Sequence, residues 1–297
     1  MALVFNCSWV PNGSDSGLIL FQRVAYTTVF IFGIILNALA MWRFMRIPQW
    51  TDTHIYMLNL LLADLILTLF LPFRIFETHC PIKPMPFCTF LICVHYINMY
   101  ASIFIITAIS VHRNVAIRFP MQNKTSRASE VRRKRITSGI CAFIWVIVIT
   151  ISTTFRKNMY PDRLATCYEL KEPDKMSLSF LLVLEILGYL LPIVTITTCS
   201  AHVVWTVQKS LKNIRQHTEE EIIDKRKRVV AIITANMIVF IVCFTPIHVG
   251  YLLRRISVKK SHIFYDVSEW LATTNCCLDS VGYYFLLKKN LQRQDVA

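Results

Sequence analysis

The sequence lacks any polar stretch long enough to form a soluble domain. Only 17% of its 297 residues are charged, whereas 55% are hydrophobic. The hydrophobic residues come in long blocks, and not at the helical or strand spacing that gives a soluble fold its polar faces. These blocks take up more than half of the chain, so no soluble domain of useful size is left over.

Catalytic motifs and internal repeats are missing as well. Neither His-Glu-x-x-His nor Gly-x-Ser-x-Gly occurs in the chain, which argues against a zinc-dependent or serine hydrolase. The two acids inside apolar blocks, Asp64 and Asp279, lack the flanking glycines that intramembrane proteases favour. The two halves also show no repeat of the kind from which transporters are built. The sequence therefore predicts neither an enzyme nor a transporter.

Acidic residues are scarce, with 18 Asp and Glu against 32 Lys and Arg and a net charge of +14. In a soluble protein such a charge would suggest a nucleic-acid partner. Here the bases cluster at residues 124–135 and 225–228, between apolar blocks. Positive charge of this kind marks the cytoplasmic loops of membrane proteins. We therefore expect these loops to be cytoplasmic and expect no nucleic-acid partner.

What the chain has instead is a series of seven apolar blocks. A helix of about 20 apolar residues crosses about 30 Å of hydrocarbon and satisfies its own backbone hydrogen bonds there. The blocks occupy residues 24–45, 54–76, 88–117, 136–156, 177–207, 229–253 and 264–287. They predict an all-α membrane protein, a bundle of seven transmembrane helices over residues 24–287. Residues 1–23 form an extracellular tail and residues 288–297 a short cytoplasmic tail. The segment "FLLKKNL", residues 285–291, can form a short amphipathic helix on the membrane surface.

The N-terminal tail carries two acceptor sequons for N-glycosylation, at Asn6 and Asn12. Their position fits an extracellular tail and predicts a glycoprotein. No charged-then-apolar cleavable leader precedes Asn6, so we expect the first block to act as the insertion signal.

Four of the ten cysteines lie on the predicted outer side, at Cys7, Cys80, Cys88 and Cys167. An oxidising exterior permits a disulfide between Cys88 and Cys167, and a second one between Cys7 and Cys80. The other six lie inside apolar blocks, where a small hydrophobic role is the usual one.

Several polar residues interrupt the apolar blocks at comparable depth: Asn37, Asp64, Ser102, Asn275 and Asp279. Two neighbouring carboxylates cannot both stay ionised cheaply, so one holds a proton or a cation lies between them. Oxygen ligands suit a hard cation, which makes Asp64, Ser102, Asn275 and Asp279 a predicted Na⁺ site. The alternative is a hydrogen-bonded network that only joins the helices. We expect no other cofactor.

Each of the seven blocks carries a signature, and Cys167, between the fourth and fifth blocks, adds an eighth. They are Asn37 in "GIILNALAM", "NLLLAD" ending at Asp64, Cys88 with Arg113 twenty-five residues on, Trp145, Cys167, Pro192 in "YLLPIV", "FIVCFTP" ending at Pro246, and "LDSVGYY" ending at Tyr284. In order and spacing this set resembles the rhodopsin-like G-protein-coupled receptors over the whole chain. The exact residues of these motifs look most like those of a small orphan-type branch of the family. That branch contains receptors for lysophospholipids and aromatic acids and is close to the nucleotide receptors. The resemblance implies a multi-pass receptor of the plasma membrane.

The resemblance gives a role to the arginine at the end of the third block. In the family an Asp-Arg-Tyr triplet stands there, and its Arg is held by the acid at rest and turns toward the G protein when active. Here the triplet is His112-Arg113-Asn114, without the acid. We therefore predict raised basal activation of heterotrimeric G proteins. The implied switch residues are His112, Arg113, Asn114, Phe240, Phe244, Pro246, Asp279 and Tyr283.

Two further departures from the family pattern bear on coupling. The segment from Asp279 to Tyr283 lacks the usual proline, and Ser200 stands where many members have a tyrosine. They keep an alternative open, an atypical or decoy receptor with weak or no G-protein coupling. Arrestin is a further partner that the family implies. The tail after Tyr284 has no Ser or Thr, so phosphosites would lie in the cytoplasmic loops.

The resemblance also implies a ligand pocket that opens outward between the third, fifth, sixth and seventh spans. Its predicted residues are Arg74, His95, Tyr96, Met99, Tyr100, Glu185, Tyr189, His248, Tyr251, Arg254, Glu269 and Trp270. His95 replaces the acid that binds amines in monoamine receptors. Lysines and arginines are expected around the extracellular opening of the pocket. We therefore expect an anionic small molecule or an acidic lipid. If Glu269 neutralises Arg74, Arg254 is the better contact for the anion.

Overall fold

The computed structural model describes residues 16–119, 127–158, 164–168, 178–214, 220–256 and 261–282. Within these residues the chain is almost entirely helical. In chain order the helices are α1 (Ser16–Phe44), α2 (Asp52–Glu77), α3 (Pro86–Arg118), α4 (Arg127–Asn158), α5 (Leu178–Glu185), α6 (Leu191–Ile214), α7 (Glu220–Arg255) and α8 (Ser261–Thr273). A single π-helical turn, Ile186–Leu190, joins α5 to α6.

Six of the predicted crossings are helices long and apolar enough to span a membrane, and α5, the π turn and α6 together form the fifth of them. The seventh crossing consists of two helical pieces, α8 and residues 275–282, with a turn at Thr274 between them. The all-α helical bundle predicted from the sequence is confirmed. Several helices also run beyond their apolar blocks. Helix α1 begins at Ser16, within the predicted tail, and α4 and α7 begin with polar turns on the cytoplasmic side.

Local chemistry fixes the start of α2. The Thr51 hydroxyl accepts a hydrogen bond from the backbone N–H of His54, and the His54 ring accepts one from the N–H of Thr51. This reciprocal capping satisfies donors that the first turn of a helix leaves open. It places Asp52 in the first turn of α2, at the cytoplasmic end, and Arg74 in the last turn, at the extracellular end.

The π turn lies directly before Pro192, at the second position of α6. Proline has no N–H to donate, and its ring clashes with the carbonyl of the preceding turn. The chain widens there, and the N–H of Leu191 donates to the carbonyl of Ile186. Such turns often occur at functional sites. This one directs Glu185 and Tyr189 toward the bundle interior, where they contact α7.

Helix α3 is the central helix of the bundle. Its buried residues pack with α2, α6 and α7 into one large apolar core. Phe240 and Phe244 of α7 are fully buried in that core, together with Ile103 and Ile105 of α3. Large apolar side chains on α1 and α4 are exposed. In a bilayer these outer faces contact the lipid chains.

Candidate functional site: the extracellular pocket and the cytoplasmic face

The disulfide predicted between Cys88 and Cys167 is present, with the Cα atoms 5.0 Å apart. It ties the loop after α4 to the start of α3. The Glu77 carboxylate, which the sequence analysis missed, strengthens this connection. It accepts a hydrogen bond from the N–H of Cys167 at 2.9 Å and one from the N–H of Ile82 at 2.7 Å. The loop is thereby fixed over the extracellular end of α2.

Three predictions for the outer side involve residues outside the described ranges. Asn6 and Asn12, the glycosylation sequons, belong to the N-terminal residues that are not described. Cys80 is disulfide-bonded, but Cys7 lies in the same undescribed segment, so their pairing stays a prediction.

Arg74 lies at the extracellular end of the bundle and pairs with Glu269 of α8. Its Nη2 atom donates to Oε2 of Glu269 at 2.9 Å, and both side chains are largely buried. The guanidinium also lies over the Tyr168 ring, 4.2 Å from its centroid, and 5.3 Å from that of Tyr26. His95 approaches the other Glu269 oxygen at 3.8 Å. Arg74 is thus fixed by one carboxylate and two aromatic faces.

Tyr168 belongs to the loop that the disulfide fixes in place. Burial raises the pKa of its phenol in spite of the nearby Arg74 charge. The hydroxyl therefore stays protonated at physiological pH, and its ring presents an uncharged face to the guanidinium.

A cluster of tyrosines lies below the second arginine of the pocket, Arg254. Its guanidinium lies over the Tyr265 ring, 4.4 Å from the centroid. The Tyr265 hydroxyl is 3.2 Å from that of Tyr96, and the Tyr251 ring lies 5.8 Å from the Tyr265 ring. Among the described residues no carboxylate pairs with Arg254. Its stacking leaves the N–H groups of the fork available to an anion.

The inner end of the pocket contains a histidine–glutamate pair. His248 Nδ1 of α7 is 3.3 Å from Oε1 of Glu185, and both residues are buried. The Tyr189 ring stacks on His248 with the centroids 4.5 Å apart, while its hydroxyl donates to Thr245 at 2.7 Å. Tyr100 of α3 contacts the same histidine edge-on. The predicted pocket residue Met99 is fully buried in the apolar core next to it.

Below this pair, the predicted aromatic switch residues form a continuous stack. The Tyr189 ring is parallel to that of Phe240, with the centroids 6.3 Å apart, and Phe240 meets Phe244 edge-on at 5.3 Å. Pro246, two residues after Phe244, lies inside α7, which continues through it. The pocket therefore contacts the middle of α7 through aromatic rings.

The predicted sodium residues lie between α2, α3 and the seventh crossing. Asn98 donates to Oδ1 of Asp64 at 2.8 Å, and Asn275 donates to Oδ2 of Asp279 at 2.8 Å. The two carboxylates are close enough for their charges to interact. Asp64 Oδ2, Ser102 Oγ and Asn275 Oδ1 are buried and have no hydrogen-bond partner among the described residues. The contact of Asn98 with Asp64 was not predicted from the sequence.

Asn37 takes part in a separate network. Its amide donates to the backbone carbonyls of Gly33 and Cys276, and it accepts a hydrogen bond from Ser280 at 2.7 Å. These bonds join α1 to the seventh crossing. The expectation that Asn37 lies in the same polar group as Asp64 and Asp279 is therefore only partly met, since its contacts serve helix packing.

At the cytoplasmic end, His112 and Arg133 share one carboxylate. Each has a nitrogen 3.8 Å from Oδ2 of Asp52, the residue at the start of α2. Arg113, next to His112, has no ion-pair partner among the described residues. Asn114 donates to the Cys199 sulfur of α6 at 3.4 Å. The remaining predicted switch residue, Tyr283, lies just beyond the described ranges.

Comparison with known proteins agrees with this geometry. The family model "7 transmembrane receptor (rhodopsin family)" matches residues 36–283. Human G-protein coupled receptor 35 is 32% identical over 267 residues, which cover 87% of this chain and 81% of the relative. Human G-protein coupled receptor 55 is 32% identical over 285 residues, with 90% and 85% covered. Chicken (Gallus gallus) lysophosphatidic acid receptor 6 is 30% identical over 311 residues, with 96% and 94% covered.

Proposed function

The chain belongs to the rhodopsin family of seven-transmembrane receptors, and from this membership we propose that it binds an anionic small molecule or an acidic lipid and activates heterotrimeric G proteins. It is a multi-pass protein of the plasma membrane and a receptor, not an enzyme. A relative named for lysophosphatidic acid supports an acidic amphiphile as the ligand class.

The observation that carries the proposal is the difference between the two pocket arginines. Arg74 already has a carboxylate at 2.9 Å, so an anionic ligand would have to compete with Glu269 for it. Arg254 is partly buried and stacked on Tyr265. A guanidinium held flat by an aromatic ring can bind a carboxylate or phosphate through two parallel hydrogen bonds. We assign the anion contact to Arg254.

A screen of acidic lipids and aromatic acids, with G-protein dissociation in cells as the readout, tests this assignment. Arg254→Ala should weaken an active acid at least about tenfold, the effect of one lost charge-assisted contact. Arg255→Ala is the matched control, because it removes the same charge from the same helical turn. Equal losses in both variants would point to general attraction by the loops and would contradict a specific contact.

The proposed activation switch lies at the cytoplasmic ends of α2, α3 and α4. Among the described residues, the only carboxylate within ion-pair distance of His112 is that of Asp52, which also lies near Arg133. This arrangement supports raised basal coupling, because little opposes a movement of Arg113 toward a G protein. Recruitment of a mini-G protein without ligand measures it. The decoy receptor remains the alternative, and ligand uptake without recruitment of any G-protein subtype would favour it.

We also propose an allosteric Na⁺ site at Asp64, Ser102, Asn275 and Asp279. The residues present fit this ion, since three buried oxygen atoms among them have no hydrogen-bond partner in the described part of the chain. The bound ion would supply the positive charge that two nearby acids need. Raising the sodium concentration should lower agonist affinity in the wild type and should leave it unchanged in Asp64→Asn. An equal sodium effect in both would contradict the site.

A further inference from the structure

The inner end of the pocket presents acceptor groups that Arg254 and its anion leave unused. His248 Nε2 and the Tyr100 hydroxyl are both buried, and neither has a hydrogen-bond partner among the described residues. Buried polar atoms in native proteins are almost always paired. The His248 nitrogen and the Tyr100 hydroxyl belong to different helices, α7 and α3. They face the same cluster, because the two rings are in edge-on contact.

The chemistry of the pair determines what can bind there. A carboxylate oxygen accepts hydrogen bonds, so we assign the hydrogen of the 3.3 Å contact to Nδ1 of His248. In that tautomer of a neutral imidazole the other nitrogen, Nε2, is an acceptor. The cluster thus combines a buried carboxylate with an acceptor that has no partner among the described residues. A hydrogen-bond donor with positive charge, such as an ammonium group, matches both.

The two ends of the pocket are separated by a fixed length of α7. His248 and Arg254 are six residues apart on one helix, which corresponds to about 9 Å along its axis at about 1.5 Å per residue. Between them lie the rings of Tyr251, Tyr265 and Tyr96. The pocket therefore has a cationic rim, an aromatic middle and an anionic floor.

We propose that the receptor recognises zwitterionic amphiphiles, whose anion binds Arg254 at the rim and whose ammonium group, about 9 Å away, binds the Glu185–His248 pair. This inference rests on the proposed function, because it uses the same pocket and the same anion contact. It adds Glu185 as the residue that determines specificity. Two kinds of spacer suit the apolar faces of these tyrosine rings, an aromatic ring and an aliphatic chain.

Matched probe pairs test the inference in the G-protein dissociation assay. The aromatic pair is p-aminomethyl-phenylpropionic acid and p-methyl-phenylpropionic acid, and the aliphatic pair is ω-aminooctanoic acid and octanoic acid. In at least one pair the aminated member should be about tenfold or more the stronger agonist, the effect expected of one buried charge-assisted hydrogen bond. The pair that shows the preference identifies the spacer.

Variants separate this inference from the proposed function. Glu185→Gln keeps the shape of the side chain and should abolish the preference for the amine, whereas Glu130→Gln, a cytoplasmic control, should keep it. Arg254→Ala should weaken both members of a pair. If Arg254→Ala weakens both members and the amine brings no gain, the inference is wrong and the proposed function stands. If no acid in either pair acts through Arg254, both fail. Should Glu185→Gln not reach the cell surface, the wild-type preference alone decides.

Discussion

Two arginines at opposite ends of the bundle differ in how their charge is held. Arg74, at the extracellular end, has a carboxylate at 2.9 Å and two aromatic rings against its guanidinium. Arg113, at the cytoplasmic end, has no ion-pair partner in the described part of the chain. A charge that is fully paired fixes the helices around it, whereas a charge without a partner stays available to another protein. We therefore expect the extracellular end to be the more rigid one and the cytoplasmic end to be freer to change.

The difference comes from how the carboxylates at each end are paired with basic side chains. At the extracellular end, the Glu269 carboxylate forms an ion pair with one arginine, Arg74, and the neighbouring His95 carries no permanent charge. At the cytoplasmic end Asp52 is shared by His112 and Arg133 at 3.8 Å each, a separation that is long for a hydrogen bond. One loosely shared carboxylate stabilises its partners less than one dedicated carboxylate in a buried site.

The largest effect should follow from breaking the rigid end. Glu269→Gln leaves the Arg74 charge buried without a counter-charge, and removing one partner of such a pair costs about 3 kcal/mol. We expect a clear fall in the melting temperature of the receptor purified in detergent. Glu130→Gln is the control, because Glu130 is half exposed and pairs with Lys134 one turn away on α4.

If Glu269→Gln lowered the melting temperature no more than the control Glu130→Gln, solvent would screen the Arg74 pair as well. The two ends would then not differ in rigidity. Exchanging the charges, with Arg74→Glu and Glu269→Arg in one chain, should recover part of the lost stability if the pair itself is responsible.

An intermediate effect should follow from giving the cytoplasmic arginine a partner of its own. His112→Asp places a carboxylate beside Arg113, and a contact worth about 1.4 kcal/mol changes a two-state ratio about tenfold. We expect ligand-free mini-G recruitment to fall by about that factor. His112→Asn is the control, since it is polar and uncharged. Unchanged basal recruitment at equal surface expression would contradict the role assigned to the missing acid.

The smallest effect should come from removing the shared carboxylate. Asp52→Asn removes the carboxylate that lies near His112 and Arg133, whose side chains are 32% and 40% exposed. Partly exposed pairs contribute at most about 1 kcal/mol. We expect ligand-free recruitment to rise by a fewfold, because α2, α3 and α4 lose a common contact. A fall in recruitment would show that Asp52 supports the active arrangement instead.

The sequence predicted features that depend on composition or on a single strong signal. The apolar blocks predicted the helical bundle, and the position of two cysteines on the outer side predicted the disulfide between Cys88 and Cys167. The pairing of Arg74 with Glu269 followed from the pocket that the family resemblance implies. The bundle and the disulfide depend on where a residue lies relative to the membrane, which the order of the blocks sets, whereas the Arg74 pair also needed the resemblance.

Features that depend on helix rotation could not be read in this way. Asp52 and His112 belong to different helices, and no periodic pattern indicates that they meet. Asn98 lies in the third block beside many apolar residues, and only the packing of α3 on α2 brings its amide to Asp64. The π turn before Pro192 also changes which residues of the fifth span face inward.

The π turn contains Gly188, whose missing side chain has a practical consequence for engineering. A Cβ atom there would lie 2.7 Å from the Tyr100 ring, which is itself fully buried. Replacing a helical glycine by alanine normally stabilises a protein by about 0.5–1 kcal/mol, so it is a common stabilising substitution. At this position the added methyl group would force the Tyr100 ring or its helix to shift. A receptor with alanine at residue 188 would therefore have an altered contact between α3 and the π turn.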